Sequence, residues 1–441
     1  MKLLPHQIED AARLDLIDHL PNFSEAGTGK TLTTLEAVRK RGYKTGVVVC
    51  PVNAVHMWKA EIERYLGMTA TIMKSAKTRL VTPKGKTPNF IIVTYGTIIN
   101  KKLFLYLYET GGDALILDES QALKNPTSKR TMAIYGKRSD GKGGLFESFK
   151  NTYPLTGDPI LRHNDDMWSQ LRAGFPEQLR RMGVLENRAF NNKFCVMQMK
   201  KYHPRAQPVL AVVASKNQAE LNDLVFDRIG AIDRVLTQVK TDMPPITYRR
   251  LVVPIESSPE LDQYLKGMTA EDIEQALIAE LSGMSKAVRV LGLLKAASIA
   301  EYVAEQTHAV VVGFWHRDVG EAIAEYLYSR GKTAEVVNGS TPADERERIR
   351  VRFNAGKLDV LVGQMGAMGT SWNLQEHGCH VVIAEDNFSP GVIKQFIHRV
   401  WRMGQKSHVQ VDFLTADNPI DEAIARVRER KAKSNLEVMG R

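Results

Sequence analysis

The feature that most constrains the fold is a repeated alternation of short apolar strands with amphipathic helices. Nine segments read as strands: 46–51, 90–96, 114–119, 153–157, 308–314, 333–339, 358–364, 379–385 and 408–414. The first, GVVVCP, is continuous and β-branched, which is typical of a strand buried on both faces. Helical patterns such as 57–66 and 318–331 lie between the strands. This alternation predicts parallel sheets that are covered by helices.

The strands fall into two runs, and a helix-rich stretch at about 160–300 separates them. We therefore predict an α/β fold with two lobes, each a mostly parallel sheet flanked by helices, and with helical insertions between them. The first lobe is predicted over residues 1–255, with a helical protrusion at about 160–235. The second is predicted over residues 256–441 and begins with a helical linker at about 256–300.

Composition excludes several classes of protein. The three cysteines, Cys50, Cys195 and Cys379, are far apart and cannot form a disulfide framework, which favours a reducing compartment. No apolar run approaches the roughly 20 residues of a membrane span, and the N-terminal segment soon becomes polar, unlike a signal peptide. We therefore expect a cytoplasmic protein. The formal charge of +10 suits a polyanionic partner, although many basic proteins share that balance.

The segment SEAGTGKT (24–31) has the pattern of a phosphate-binding loop. Glycines let the backbone curl so that successive N–H groups point at phosphate oxygens, and the helix that follows favours anions at its N-terminus. Lys30 can reach the β- and γ-phosphates, and the Thr31 hydroxyl can ligate Mg²⁺. We predict a nucleotide site that uses Gly27, Thr28 and Gly29 beside these two residues.

Two further segments supply the other parts of an ATPase. LILDES (115–120) is an apolar strand that ends in two acids. Asp118 is predicted to hold Mg²⁺, and Glu119 to polarise the attacking water. In QFIHRVWRMGQ (395–405), Arg399 and Arg402 are three residues apart and would share a face of a helix. Their guanidinium groups are predicted to reach a γ-phosphate that the first lobe holds.

The order of these segments resembles the Swi/Snf-type DNA translocases of helicase superfamily 2, and the resemblance covers nearly the whole chain. Segments that carry it include LLPHQIEDAARL, VVVCPVNAVHMWKAEIERY, IIVTYGTI, LDESQALKN, VNGSTPADERERIRVRFNAG and QFIHRVWRMGQ. The final RMGQ separates this branch from the DEAD-box RNA helicases. The resemblance implies two RecA-like lobes, with ATP and Mg²⁺ as cofactors.

The resemblance also implies further site residues. Gln7 stands in the place of the adenine-recognising glutamine, and Gln395 is expected to contact the nucleotide. The residues expected to bind DNA are Pro51, Thr94, Tyr95, Lys124, His316, Gly339, Arg346, Gly369 and Thr370. Trp58 and Trp315 are expected to pack against their own lobes rather than stack on bases.

Two basic stretches, 124–150 and 426–441, are candidates for contacts with duplex phosphates, although the second also fits a solvated helix face. No zinc-finger spacing or recognition-helix pattern is present in the sequence. We therefore expect sequence-independent binding to the backbone of duplex or branched DNA.

The leading hypothesis for function is a DNA-stimulated ATPase that couples ATP hydrolysis between two lobes to translocation along DNA. One alternative is a strand-separating, fork-remodelling or annealing helicase that has the same motor. Another is an ATP-gated clamp that does not translocate. We expect a monomer in a bacterial or viral host cytoplasm, because the chain is little longer than the two lobes require.

Overall fold

The computed structural model describes residues 3–73, 88–136, 143–200, 207–240, 242–278, 282–368 and 372–440. The chain divides into two compact units. The first unit comprises Met1–Met197, Ala214–Thr241 and Ser434–Arg441, and the second comprises Gln198–Val213 and Asp242–Lys433.

The first unit is built on a five-stranded parallel sheet. Its strands are β1 (Gly46–Cys50), β2 (Ala70–Ile72), β3 (Phe90–Thr94), β4 (Gly112–Asp118) and β5 (Phe149–Leu155). They lie in the order β2-β3-β1-β4-β5, so β1 is central and its five residues are all buried. Because the strands are parallel, their carboxyl ends lie at one edge of the sheet, where α/β proteins usually bind ligands.

Ten α-helices lie in the described part of the chain before residue 241. They are α1 (Pro5–Leu16), α2 (Lys30–Lys40), α3 (Val55–Glu61), α4 (Lys101–Thr110), α5 (Lys129–Tyr135), α6 (Trp168–Gly174), α7 (Pro176–Arg181), α8 (Asn187–Phe194), α9 (Gln218–Asn222) and α10 (Leu236–Val239). Strands β6 (Cys195–Lys200) and β7 (Val209–Ser215) form a separate two-stranded sheet.

The second unit is built on a six-stranded parallel sheet. Its strands are β8 (Ile246–Val252), β9 (Val310–Phe314), β10 (Ala334–Val337), β11 (Val360–Gln364), β12 (His380–Ile383) and β13 (Val409–Thr415). They lie in the order β10-β11-β9-β12-β13-β8, so β8 is an edge strand. The remaining helices are α11 (Pro259–Leu265), α12 (Ala270–Ile278), α13 (Ser282–Ala304), α14 (Arg317–Ser329), α15 (Ala343–Asn354), α16 (Pro390–Ile397) and α17 (Pro419–Met439).

Each sheet buries an aliphatic core under its helices. In the second unit, α14 places Val319, Ile323 and Leu327 against the apolar residues of β9, and all three are fully buried. These positions are four residues apart, which is the spacing that keeps side chains on one face of a helix. The rigid sheets fix the loops at their carboxyl edges.

The predicted α/β class with two parallel-sheet lobes is confirmed, and all nine predicted strands are present. The sequence did not indicate β2, β6, β7 or β8. Strand β2 is only three residues long, and four consecutive residues of β8 are exposed, so neither has the apolar run of a central strand. Strands β6 and β7 lie within the stretch at about 160–235 that the sequence predicted to be a helical protrusion. The helix predicted over 57–66 is α3 followed by a single π-helical turn at Ile62–Leu66.

Candidate functional site

The glycine-rich loop at 24–29 begins at the carboxyl edge of the first sheet. The Asn22 N–H donates to the Pro154 carbonyl at the end of β5 (2.9 Å), and the Asn22 carbonyl accepts from the Thr156 N–H (3.1 Å). Strand β5 runs beside β4, which ends at Asp118. The sheet therefore places the loop on the same edge as the acidic pair.

The backbone of this loop turns at two glycines. Gly27 (φ 86°) and Gly29 (φ 89°) both lie in the left-handed region that favours glycine. Lys30 begins α2, and its Nζ donates to the carbonyl oxygens of Ser24 (2.6 Å) and Glu25 (2.9 Å). The loop backbone and the N-terminus of an eleven-residue helix together form an environment suited to an anion.

The Lys30 ammonium belongs to a charged cluster. Burial lowers the pKa of Lys30, while the negative charges of Glu119, Asp118 and Asp158 raise it. The structure therefore brings the predicted phosphate-binding lysine into electrostatic range of both predicted catalytic acids. A lysine beside carboxylates can bind a phosphate together with a metal ion.

Gln7 lies directly against the loop. Its Oε1 accepts from the Leu4 N–H (2.9 Å), which orients the amide. A Cβ atom on Gly29 would lie only 2.0 Å from Gln7 Nε2, so a larger residue at position 29 would displace the glutamine. His6 Nε2 contacts the Thr28 carbonyl oxygen (2.9 Å). Helix α1 thus places Gln7 beside the nucleotide loop, next to the residues that the sequence assigned to phosphate binding.

The two loop threonines have different environments. Thr28 is buried, and its hydroxyl donates to the Glu25 carbonyl (2.9 Å), so it closes the turn. Thr31 lies half-buried in the first turn of α2. Its hydroxyl and the Asp118 carboxylate are oxygen ligands of the type that Mg²⁺ prefers, so these residues fit the predicted metal.

Asp118 is held from two sides by aromatic side chains. Trp58 Nε1 donates to Asp118 Oδ2 (2.9 Å), and the Tyr95 hydroxyl donates to the Asp118 carbonyl oxygen (2.8 Å). Burial raises the pKa of Asp118, and the negative charge of Glu119 raises it further, against the bond from Trp58 and the charge of Lys30. A divalent cation beside Asp118 would offset this cost of ionisation.

Glu119 has a constrained backbone. Its φ of 54° and ψ of 52° lie in the left-handed region, which non-glycine residues seldom occupy and which often marks functional sites. Gln121 Nε2 donates to Glu119 Oε2 (2.6 Å). The buried Ser120 hydroxyl donates to Gln170 Oε1 (3.1 Å) on α6. The acidic box (residues 117–120) is therefore bonded to α6, which follows the segment LTGDP (155–159).

The LTGDP segment also touches the glycine-rich loop. A Cβ atom on Gly157 would lie 3.2 Å from the Ala26 nitrogen, so the two backbones are nearly in contact. The Asp158 N–H donates to the Thr156 hydroxyl (3.1 Å). Asp158 adds a third carboxylate near Lys30.

In the second unit, Glu385 organises the loop after β9. Its Oε2 accepts from the backbone N–H groups of Trp315 and His316 (both 2.8 Å), and its Oε1 contacts His316 Nδ1 (2.7 Å). A carboxylate at the start of α14 also complements the helix dipole. His316, a predicted DNA contact, is thereby fixed at the carboxyl edge of the sheet.

Gln364 connects two of the predicted DNA-facing loops. Its Oε1 accepts from the Gly339 N–H (3.1 Å), and its Nε2 donates to the Trp315 carbonyl (3.0 Å). The Arg346 guanidinium donates to the carbonyl oxygens of Thr341, Ala367, Asn338 and Gly339. Arg346 therefore shapes the loop that presents Gly339.

The two predicted arginines do not lie on a helix, which corrects the expectation that they share a helical face. Helix α16 ends at Ile397, and Arg399 and Arg402 follow in successive turns. Arg399 is buried. The Arg402 guanidinium donates to Asn373 Oδ1 and to the Trp372 carbonyl (3.3 Å), and burial lowers its pKa. Gln395 lies in the last turns of α16, half-buried.

The other predicted DNA contacts in the first unit lie at the ends of its strands. Pro51 follows β1 and Thr94 ends β3, and both are half-buried. Tyr95 is only 7% exposed. Lys124 follows the acidic box, and burial lowers its pKa. Gly369 and Thr370 lie outside the described residues.

Sequence reasoning missed the contacts that orient the site. The indole N–H of Trp58, the Gln364 amide and the Glu385 carboxylate each bond to a candidate site residue or its loop. The one available signal was position, because each residue follows or ends a predicted strand. Spacing along the chain does not show which strand ends are neighbours.

Among the residues that the structure describes, no group of three or more His, Cys, Asp or Glu side chains is placed to hold a metal ion. Within the same ranges, no helix has the length and apolarity that a membrane span requires.

Comparison with known proteins identifies the family. The SNF2-related domain matches residues 23–298, and the helicase conserved C-terminal domain matches residues 294–404. The "DNA annealing helicase and endonuclease ZRANB3" of Bos taurus is 23% identical over 432 residues, which are 93% of this chain and 38% of that protein.

Two other relatives are similar over most of the chain. The "SWI/SNF-related matrix-associated actin-dependent regulator of chromatin subfamily A-like protein 1 homolog" of Caenorhabditis elegans is 23% identical over 100% of this chain and 61% of its own length. The solved "Sulfolobus solfataricus SWI2/SNF2 ATPase core in complex with dsDNA" is 18% identical, covers 99% of this chain and 97% of that chain, and has a TM-score of 0.44. The SNF2-related domain matches more than half of the residues of this chain. This chain therefore belongs to the SNF2-related family of helicase-like ATPases.

Proposed function

We propose that this protein is a DNA-stimulated ATPase that couples ATP hydrolysis to translocation along DNA. The observation that carries the proposal is the charged cluster at one edge of the first sheet, where Lys30 lies in electrostatic range of Asp118 and Glu119. Strands β1 and β3 end at the same edge, and the loops that begin there hold predicted DNA contacts. ATP chemistry and DNA binding would therefore share one rigid scaffold.

The nucleotide is assigned to the glycine-rich loop. Backbone N–H groups of residues 27–31 and the Lys30 ammonium would bind the phosphates, and Gln7 would contact the adenine. Thr31 and Asp118 would hold Mg²⁺, which when bound neutralises charge on the phosphates. Glu119 is assigned to orient and polarise the attacking water, and its fixed backbone supports that role.

Arg399, Arg402 and Gln395 are proposed to contact the nucleotide in the ATP-bound state. An arginine that approaches the γ-phosphate stabilises charge that develops in the transition state. The half-buried Arg402 side chain is already oriented by Asn373, which supports a positioned rather than a mobile guanidinium.

DNA is proposed to contact residues of both units. Pro51, Thr94, Tyr95 and Lys124 are the candidates in the first unit, and His316, Gly339, Arg346, Gly369 and Thr370 those in the second. Loop backbone and hydroxyl groups suit phosphates and carry little sequence information. Binding to duplex or branched DNA without sequence preference is therefore expected.

A second candidate function is fork remodelling or strand annealing. It is favoured by the relatives named as DNA annealing helicases, although the chain spans only 38% of the first of them. A third candidate, the non-translocating clamp, would use the same nucleotide site without movement.

The proposal is tested by ATP turnover with single-stranded, duplex, forked and RNA substrates, together with strand displacement. Duplex-stimulated turnover and removal of a triplex-forming strand would support translocation. Unwinding or annealing of a forked duplex would instead favour the second candidate. ATP-dependent DNA binding with neither outcome would favour the clamp. Turnover that responds to RNA and not to DNA would contradict all three.

A further inference from the structure

The strand that ends in the catalytic acid is a near neighbour of the two strands that end in predicted DNA contacts. In the first sheet, Cys50 of β1 pairs with Thr94 of β3, and Val49 of β1 pairs with Leu117, one residue before Asp118. Side chains that follow β1 and β3 can therefore reach Asp118 directly.

Trp58 makes such a contact from the loop and helix that follow β1. It is fully buried on α3, and its Nε1 donates to Asp118 Oδ2 (2.9 Å). His56 and Met57 immediately precede it on the same short helix and are exposed. One turn of α3 thus presents an exposed surface on one side and an indole N–H to the acidic box on the other.

Tyr95 makes a matching contact from the end of β3. Its hydroxyl donates to the Asp118 carbonyl oxygen (2.8 Å). Thr94, the preceding residue, is half-buried, and its Oγ1 contacts the Thr97 hydroxyl (2.7 Å). A movement of this turn would therefore also move the Tyr95 hydroxyl, which bonds to Asp118.

A purely structural role would not require these two side chains to bond to the same residue. A buried indole or phenol needs a hydrogen-bond partner, but any nearby backbone carbonyl satisfies that need. Here both side chains bond to the same residue. One holds its carboxylate and the other holds its backbone, so orientation as well as position is fixed.

We infer that Trp58 and Tyr95 are positioning residues that connect the loops after β1 and β3 to Asp118, so that DNA on those loops changes how Asp118 is presented to the nucleotide site. The inference rests on the proposed function and deepens it. Displacement of α3 or of the turn at 94–97 would move a donor and rotate or shift Asp118. The hydrogen bonds from Trp58 and Tyr95 to Asp118, both within the first unit, suffice to make this connection.

The test uses Trp58→Phe and Tyr95→Phe in the full chain, because each removes a donor and keeps an aromatic ring. Tyr135→Phe is the matched control: Tyr135 is also buried in this core, and its hydroxyl has no hydrogen-bond partner among the described residues. For each protein one measures the Mg²⁺ dependence of binding of a fluorescent ATP analogue, DNA affinity without nucleotide, basal and duplex-stimulated turnover, and melting temperature.

Loss of a hydrogen bond to a charged group changes an equilibrium constant by about tenfold or more. We expect the Mg²⁺ concentration for half-maximal analogue binding to rise about tenfold in Trp58→Phe. At saturating DNA, the ratio of stimulated to basal turnover should fall in Trp58→Phe and Tyr95→Phe, and DNA affinity should stay at the wild-type value in Trp58→Phe. Tyr135→Phe should match the wild type in all measurements.

Wild-type Mg²⁺ dependence and stimulation in both variants would overturn the inference. So would a loss that the Tyr135→Phe control shares, or a loss of DNA affinity that accounts for the reduced stimulation. If Trp58→Phe does not fold, Tyr95→Phe, which lacks a single oxygen atom, decides the question by its stimulation ratio. A wild-type protein with no DNA-stimulated turnover would refute the proposed function, whereas the Mg²⁺ titration of Trp58→Phe would still test the contact with Asp118.

Discussion

At the scale of single residues, the candidate site is defined by side chains that are constrained before any ligand binds. Glu119 is held in a left-handed conformation and accepts a hydrogen bond from Gln121. Lys30 is half-buried near Asp118 and Glu119, and it bonds to loop carbonyls. Such preorganisation lowers the cost of arranging charges at the moment of reaction.

Replacing Glu119 with glutamine should separate nucleotide binding from hydrolysis. The amide keeps the size of the side chain but cannot accept a proton, so turnover should fall by about 10²-fold or more. Affinity for a fluorescent ATP analogue should remain close to the wild-type value. Steady-state turnover and analogue titration check both parts, and normal turnover in Glu119→Gln would refute the assigned role.

Replacing Arg402 with alanine should abolish hydrolysis and spare DNA binding. If the guanidinium stabilises the transition state, turnover should fall by about 10³-fold or more. Asn373→Ala is a useful companion, because it removes the side chain that orients Arg402. Collapse of DNA affinity in Arg402→Ala, with its melting temperature unchanged, would instead assign this arginine to the DNA surface.

At the scale of elements, a buried ion pair joins two helices of the second unit. Lys295 on α13 donates to Asp421 on α17 (2.9 Å) and to the Leu414 carbonyl (3.1 Å), and the Ala416 N–H donates to the same carboxylate (2.8 Å). Both charged side chains are almost fully buried. Burying them costs desolvation energy, so their benefit depends on these satisfied partners.

Lys295→Ala should therefore destabilise the second unit by about 3–5 kcal/mol, because it leaves Asp421 buried without its cation. Denaturant unfolding measures this loss. The double variant Lys295→Met, Asp421→Asn should lose less, since no charge remains buried. A single variant as stable as the wild type would show that the pair contributes nothing to the free energy of unfolding.

A second polar network joins three neighbouring strands of the same sheet. Asp412 on β13 accepts from Arg249 on β8 (2.7 Å), contacts His380 Nε2 on β12 (2.5 Å) and accepts from the Tyr302 hydroxyl (2.5 Å). Burial alone would raise the pKa of Asp412, but these hydrogen bonds lower it well below its ordinary value. Folding therefore favours the ionised carboxylate.

This shift predicts a pH dependence of stability. The contribution of Asp412 to the free energy of unfolding should be complete above about pH 4, the ordinary pKa of an aspartate in the unfolded chain. It should decline as the pH falls below that value. Unfolding of the wild type and of Asp412→Asn from about pH 7 to about pH 3 measures it. The stability difference should shrink at the acidic end, and a constant difference would contradict the assignment.

At the scale of the whole molecule, the net charge of +10 gives the predicted DNA binding an electrostatic component. Part of the basic C-terminal stretch is already paired within the second unit: Arg426 and Arg430 pair with Glu274, and Arg428 pairs with the buried Asp386. These pairs favour a role for that stretch as a solvated, internally paired helix face rather than as a contact with duplex phosphates. The charge available to DNA should then come mainly from the strand-end loops.

DNA affinity should consequently fall with salt and depend little on sequence. The logarithm of the association constant should decrease linearly with log salt, by about 0.9 per phosphate contact. Binding to duplexes of equal length and different sequence should agree within about tenfold. Fluorescence anisotropy at several salt concentrations provides both measurements, and a strong sequence preference would indicate base contacts that neither sequence nor structure suggests.

The sequence by itself determined the α/β class, nine of the strands in the two large sheets and the loop at 24–31, because buried strands and glycine-rich turns depend on local composition. It also identified Lys30, Asp118 and Glu119 as candidates. It did not reveal the edge strand β8, whose exposed residues lack an apolar run. Nor did it show that α16 ends before Arg399, because the turns there are fixed by distant partners such as Leu374, whose N–H bonds to the Arg399 carbonyl.

Only the tertiary structure decided which strand ends are neighbours, and hence which side chains meet. Trp58 and Asp118 are 60 residues apart in sequence, yet the order of β1, β3 and β4 brings them into hydrogen-bond contact. Glu385 and His316 meet in the same way across the second sheet. Periodicity and composition describe each element alone, whereas these contacts depend on strand order, which the packing of the whole unit selects.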